Sequence, residues 1–245
     1  MARERVAVVT GSATGIGRSV AWQLAERGFA VTVNYSKSKT EAEETADGIR
    51  DRGGEVLVAV ANIADDTAVR SMVERTTREF GGLDLLVNNA ATTHFIPHDD
   101  LEAVTGEVWD VILNVNVKGT FFACRAAMPF LKTRKGNIVN IASTAGVGGS
   151  GSSIPYAASK GAVITLTKSL AKAFAPEVRV NAVAPGPVQT RWLADHQDMI
   201  EDSVKQTPMK RPATAEDIAA VTIFLACETT LMTGQVLIAD GGRTI

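Results

Sequence analysis

A chain of 245 residues, 45% apolar, with 25 basic and 27 acidic residues spread along its length, can bury one large α/β core. Its net charge of −2 leaves no concentrated basic footprint, so a nucleic-acid partner is not expected. No apolar run reaches the roughly 18 residues of a membrane helix, and residues 1–5 lead into an apolar strand and not a signal peptide, so a soluble cytoplasmic protein is expected.

In chain order, β-branched runs predict strands at Arg5–Thr10, Ala30–Tyr35, Glu55–Ala61, Leu83–Asn88, Asn137–Ala142, Arg179–Ala184 and Gln235–Ala239. Helical periodicity fills the intervals at Ile16–Arg27, Lys39–Arg52, Asp65–Phe80, Glu107–Leu131, Tyr156–Phe174 and Ala215–Cys227. Strands alternating with helices imply a parallel sheet covered on both faces, a doubly wound Rossmann-type α/β fold of seven strands in a single domain, 1–245. The long strandless stretch Pro187–Pro212 holds Trp192, His196, Met199 and Met209 among polar residues and reads as a small helical flap at about 188–212. Cys124 and Cys227 stand in apolar helical contexts and read as small hydrophobes. His94, His98 and His196 form no Cys/His cluster, so no metal site is expected.

The first strand runs directly into Thr10-Gly11-Ser12-Ala13-Thr14-Gly15-Ile16-Gly17 and then a helix. Glycines there allow a tight turn and close approach of backbone to a pyrophosphate, while the helix N-terminus offers unpaired N–H groups. At the end of the second strand an acid would accept bonds from free ribose hydroxyls and repel a 2′-phosphate. Asn34-Tyr35-Ser36-Lys37-Ser38-Lys39 carries no acid before Glu41, which favours NADP(H), with NAD(H) as the other possibility.

Tyr156 and Lys160 lie four positions apart on one helix face, with Pro155 suited to the first turn. An ordinary phenol is a poor base at neutral pH. An ammonium about 5 Å away, at an effective dielectric of about 20, stabilises the phenolate by roughly 3 kcal/mol, or about two pKa units. Ser143 follows the fifth predicted strand at the sheet edge where such folds collect ligands, and its hydroxyl can hold a substrate oxygen beside the phenol.

These residues resemble the short-chain dehydrogenase/reductase family along essentially the whole chain, in particular its 3-oxoacyl-ACP reductase and glucose dehydrogenase-like members. The resemblance rests on Thr10–Gly17 with its Gly-x-x-x-Gly-x-Gly spacing, Asn88-Asn89-Ala90, Asn116 in Asn-Val-Lys-Gly, Ser143 with Tyr156-x-x-x-Lys160, and Pro185-Gly186. It implies hydride transfer between nicotinamide and a carbonyl or secondary alcohol, with Tyr156 as general acid/base. Ser143 would polarise the carbonyl, Lys160 would bind the nicotinamide ribose, and Asn116 would hold a water linked to Lys160. Gly11, Ser12, Thr14, Gly15, Ile16 and Gly17 would cradle the dinucleotide. Tyr35, Ser36 and Lys37 would meet its ribose, Asn62 and Ile63 its adenine, and Asn89, Ala90 and Ala91 its adenosine side. Pro185, Gly186, Val188 and Thr190 would lie by the nicotinamide.

Three positions depart from the family pattern: Asn62 replaces an Asp, Ala91 replaces a Gly, and Thr14 stands where NADPH-using members often have Arg, so any 2′-phosphate contact is expected to rest on Ser36 and Lys37. Substrate choice is expected from Thr92–Pro97, Gly146–Ile154 and the flap, with His94, Trp192 and His196 as candidate contacts. The apolar Tyr156–Phe174 helix and the tail Gln235–Gly242 suggest, by the same resemblance, a homotetramer. The competing reading, a nucleotide-sensing or scaffold protein without catalysis, predicts a damaged Ser/Tyr/Lys set, and all three residues are intact.

Overall fold

The computed structural model describes residues 5–245, with backbone alone at 197–199. The start of the chain, read above as leading into the first strand, lies outside the described residues, as does the Met199 side chain. The strands are β1 (Arg5–Val9), β2 (Phe29–Tyr35), β3 (Val56–Val60), β4 (Leu85–Asn88), β5 (Asn137–Ile141), β6 (Arg179–Pro185) and β7 (Val236–Ala239). They form one seven-stranded sheet in the order β3-β2-β1-β4-β5-β6-β7, and every neighbouring pair runs parallel.

A strand covered on both faces has no polar side to alternate with, so β1 reads Arg-Val-Ala-Val-Val and is buried from Val6 onward. Successive residues still point to opposite faces. Ala7 and Val9 join Val31, Val33, Val139 and Val183 beneath α1 (Gly15–Ala25), α2 (Lys39–Arg50) and α9 (Ala215–Ile223). Val6 and Val8 join Leu86, Ile138 and Val180 beneath α3 (Asp66–Phe80), α5 (Thr120–Arg134) and α7 (Ile154–Phe174). Each large side chain buried in these layers, such as Leu24 or Leu131, contributes about 2 kcal/mol relative to exposure.

The reversal of strand order lies between β1 and β4, where the chain ends one half of the sheet and begins the other. The carboxyl ends of these two strands open the crevice that doubly wound sheets use for ligands.

Two expected helices are interrupted. The stretch read as Glu107–Leu131 is α4 (Gly106–Leu113), a π-turn at Asn114–Gly119, and α5. The inserted residue turns Asn116 inward, where its Oδ1 accepts from Thr92 N–H (2.8 Å) and its Nδ2 donates to Thr92 carbonyl (3.0 Å). The stretch read as Ala215–Cys227 likewise ends in a π-turn at Phe224–Glu228. The fourth strand begins at Leu85 and not Leu83, because the Asp84 carboxylate turns to accept from Val6 N–H at 3.0 Å. Residues 187–212 hold a short 3₁₀ turn (Arg191–Leu193) and α8 (Gln197–Gln206), tied back to the body by a bridge between Val188 and Ala213.

Among the described residues no helix is long and apolar enough to cross a membrane. Cys124 is buried against Asn88 Nδ2 (3.2 Å), and burial pushes its thiol up to about 12, which leaves it unreactive.

Candidate active site

The glycine turn between β1 and α1 is built from backbone conformation and internal hydrogen bonds. Gly15 has a φ of +57°, in the left-handed region that a side chain disfavours, and it opens α1. Thr14 occupies the N-cap without a side-chain bond to the helix, so the first-turn amides are left to a ligand. Ser12 does not face that ligand position. Its Oγ donates to Val9 carbonyl (2.7 Å) and accepts from Asn34 N–H (3.0 Å), while Asn34 Oδ1 accepts from Gly11 N–H (3.0 Å).

Asn89 closes the other side, donating through Nδ2 to the carbonyls of Thr10 (3.0 Å) and Gly11 (2.9 Å). A Cβ on Gly17 would stand 2.5 Å from Asn89 Nδ2 and 2.6 Å from Gly11 carbonyl oxygen. Gly17→Ala is therefore expected to lower thermal stability by about 1–3 kcal/mol and to weaken dinucleotide binding at least about tenfold, read by calorimetry and thermal melting. A variant that binds as tightly as the parent would show that the turn tolerates displacement.

The second half of the site grows from β5 and α7. Beyond β5, Ser143 Oγ accepts from Ala145 N–H at 3.1 Å at the start of the short helix α6 (Ala145–Gly148), and its hydroxyl lies beside the Tyr156 phenol. Ser153 caps α7 by accepting from Tyr156 N–H, with Pro155 in the first turn. One turn further along, Lys160 is only 4% exposed and its Nζ donates to Ile141 carbonyl at 2.8 Å, 5.7 Å from the Tyr156 ring centroid.

Asn116 reaches this helix from the π-turn, donating to Ser159 Oγ at 2.9 Å, while Ser159 Oγ donates to Tyr156 carbonyl at 2.7 Å. The Asn116 side chain is thus occupied by Thr92 and Ser159, and the Asn116 main-chain carbonyl accepts from Thr120 Oγ1 at 2.8 Å.

Burial dominates the titration of this pair. Desolvation pushes the Tyr156 phenol up to about 12, against the lowering effect of the Ser143 hydrogen bond, and lowers the Lys160 ammonium to about 8. Sequence spacing registers only the attraction of ammonium for phenolate; in the fold both groups also lose water, which raises the phenol instead of lowering it.

These two halves face one cleft of about 450 Å³. Its walls include Gly11, Thr14, Gly15, Ile16, Tyr35, Ser36, Asn89, Ala90 and Ala91 at one end, Ser143, Tyr156, Lys160, Pro185, Gly186 and Val188 at the other, and Thr190 over Gly15 between them. Gly17, Ser12 and Asn116 stand behind the walls as supports, and Lys37, Asn62 and Ile63 do not line the cleft. Lys37 and Asn62 are exposed, and Asn62 Oδ1 accepts from Ala64 N–H at 3.1 Å. The bare helix N-terminus and the glycine turn at one end of a continuous cleft fit a dinucleotide, with the Ser143–Tyr156 pair at the far end.

The family model described as enoyl-(acyl carrier protein) reductase matches residues 11–244. A structure from Burkholderia xenovorans, described as a short-chain dehydrogenase/reductase, superposes with a TM-score of 0.93 at 35% identity over 99% of both chains. The chain belongs to the short-chain dehydrogenase/reductase family.

A Streptomyces violaceoruber protein, whose name assigns it to granaticin polyketide synthase as ketoacyl reductase 2, is 44% identical over 97% of this chain and 95% of its own. A 3-oxoacyl-[acyl-carrier-protein] reductase of Staphylococcus aureus is 38% identical over 99% of both chains. As a member of this family the chain is an oxidoreductase of carbonyl and alcohol groups, and membership implies a nicotinamide cofactor.

The family fold also brings in residues that the sequence did not single out. Phe95, Ser38, Arg191 and Arg243 line the cleft, and Phe95 stacks on the His196 ring with centroids 3.7 Å apart. Trp192 lines it as expected, its ring centroid 6.2 Å from that of Tyr156, whereas His94 is exposed and off the wall. Arg191 and Arg243 carried no sequence signal. A lone Arg in a loop or tail is ordinarily solvated, and only the return of the chain across the sheet edge brings these two to the cleft.

Proposed function

We propose that this chain is an NADPH-dependent reductase of 3-oxoacyl thioesters, working as a single domain with its substrate flap at about 188–212. The observation that carries the reaction is the Ser143–Tyr156 hydroxyl pair, lining with the buried Lys160 a cleft that continues to the bare N-terminus of α1. The substrate class is supported by the names of the two curated relatives.

When bound, the nicotinamide supplies the hydride. Ser143 and Tyr156 bind the ketone oxygen, so that charge developing there meets two hydroxyl donors in a partly dehydrated site. With its phenol held near 12, Tyr156 is fully protonated at neutral pH and is ready to donate the proton that completes the alcohol. Lys160, held by Ile141 carbonyl, offers its remaining protons to the ribose hydroxyls and keeps positive charge beside the phenol. Asn116 is a positioning residue: through Ser159 it fixes the turn of α7 that carries Tyr156. Gly11, Thr14, Gly15, Ile16, Asn89, Ala90 and Ala91 hold the adenosine and pyrophosphate, and Pro185, Gly186, Val188 and Thr190 hold the carboxamide. NADP(H) is preferred over NAD(H) because β2 ends in Asn34-Tyr35 and is followed by Ser36-Lys37, with no acid before Glu41. We also propose cytoplasmic location and a homotetramer; β7 at the sheet edge, with Ile238 exposed, supports the latter.

The test is loss of NADPH absorbance with a 3-oxoacyl thioester, beside simple ketones and sugars, each with NADPH and NADH. Turnover of the thioester at least about tenfold more efficient than of the other carbonyls, and with NADPH over NADH, is expected. Faster turnover of a sugar would overturn the substrate class, and a tenfold preference for NADH would overturn the cofactor choice.

A further inference from the structure

We infer that Arg191, at the base of the flap, is the residue that recognises the 2′-phosphate of the dinucleotide, and that it does so by exchanging its Glu41 partner for the phosphate. The inference deepens the NADPH preference proposed above and rests on it.

The backbone brings the flap to the right place. The Thr190 side chain lies 3.5 Å from where a Cβ on Gly15 would stand, so the flap base crosses directly over the glycine turn. Arg191 follows and reaches across to the start of α2, donating through Nη2 to Ser38 Oγ (3.1 Å) and pairing through Nη1 with Glu41 Oε1 (2.6 Å). Ser38 lines the cleft together with Tyr35, which ends β2, and Ser36 just after it, where a dinucleotide's adenosine ribose lies in folds of this kind.

Among the described residues, Arg191 is the cation that lines the β2 end of the cleft. Thr14 brings no charge to the glycine turn, and Lys37 and Lys39 are exposed and do not line the cleft. The Arg18 guanidinium is committed beneath the turn to Ala13 carbonyl, Thr45 Oγ1, Glu41 carbonyl and Glu44. Lys160 is held at the other end of the cleft by Ile141 carbonyl. Arg243 follows β7, at the sheet edge away from β2.

The pair is built to exchange. Arg191 is 58% and Glu41 33% exposed at their side chains, and an ion pair this accessible contributes little by itself. A phosphate presents more charge and a bidentate face to the planar guanidinium, so it displaces the single carboxylate oxygen. Ser38 N-caps α2 without a side-chain bond to the helix, so while its Oγ accepts from Arg191 its hydroxyl proton can be donated to the same phosphate. The flap base would then be fastened over a phosphorylated cofactor and left on Glu41 otherwise.

Calorimetric titration of the full chain with adenosine 2′,5′-bisphosphate and with 5′-AMP, followed by the same for Arg191→Gln and Glu41→Gln, tests this without any turnover. The parent is expected to prefer the bisphosphate by at least about tenfold, Arg191→Gln to bring the two ligands to near parity through the bisphosphate alone, and Glu41→Gln to tighten the bisphosphate by about threefold. A parent with no preference would overturn the NADPH reading and this inference together. A parental preference that survives in Arg191→Gln would overturn the inference alone. So would equal weakening of both ligands, which marks a merely structural role, or an unchanged Glu41→Gln, which removes the exchange.

Discussion

Tyr156→Phe is expected to lower kcat for ketone reduction by about three orders of magnitude while the melting temperature and dinucleotide affinity stay close to those of the parent. The phenol is the group at the cleft wall that can both hold the ketone oxygen and release a proton to it, and Ser143 beside it supplies a hydrogen bond but no comparable acid. Removing it leaves Ser143 Oγ still accepting from Ala145 N–H, so the structural loss is a single hydroxyl, within about 1 kcal/mol. Phe keeps the ring and its contact with Trp192. The pH profile follows from the same group. Held near 12, Tyr156 is a ready acid at neutral pH and a scarce base, so the parent's alcohol oxidation should climb with pH while ketone reduction does not. Steady-state rates in both directions and thermal melts decide it; reduction by Tyr156→Phe within tenfold of the parent would remove Tyr156 from the chemistry.

Lys160→Met should stabilise the fold at pH 7 while lowering activity by about a hundredfold. Burial takes the folded ammonium from 10.5 to about 8, which corresponds to about 3 kcal/mol of destabilisation when the group is charged in both states. Below pH 8 both folded and unfolded chains hold the proton, and the full penalty is present. Between about 8 and 10.5 the unfolded chain binds more protons than the folded one, so the parent gains stability as pH rises; above that window the penalty is gone. Met keeps the buried aliphatic length but leaves Ile141 carbonyl without its donor, a loss of about 1 kcal/mol, so the net gain at pH 7 is about 2 kcal/mol. Urea denaturation of parent and variant from pH 7 to 10 should give curves that converge. A variant less stable than the parent at pH 7, or a constant gap across the range, would show that Lys160 is not held against its own solvation.

Both expectations concern residues whose identity was legible in the chain, whereas the quantities come from the fold. The glycine turn and the Tyr156-x-x-x-Lys160 spacing are local: one helix turn brings the phenol and ammonium together whatever surrounds them. Their titration is not local, because it depends on how many atoms of other elements exclude water from them, and desolvation raises the phenol where the neighbouring ammonium alone would lower it. Asn116 illustrates the same limit. The sequence marked it as a site residue, yet a π-turn inserted by its bonds to Thr92 breaks the helix that periodicity ran unbroken, since periodicity registers apolar spacing and not an inward amide.

The sequence by itself determined the strand-helix alternation, the parallel sheet, the glycine turn and the Ser143, Tyr156 and Lys160 set, because each is written in contiguous spacing or in a strand's uniformly apolar run. Tertiary structure decided what meets across the cleft: Arg191 on Ser38 and Glu41, His196 on Phe95, Arg243 at the wall, and Lys37 and Asn62 off it. Arg191 and Glu41 are 150 residues apart, and no period or propensity spans that interval. Their meeting follows from the order in which seven strands lie side by side, which brings a flap after β6 back over the turn after β1.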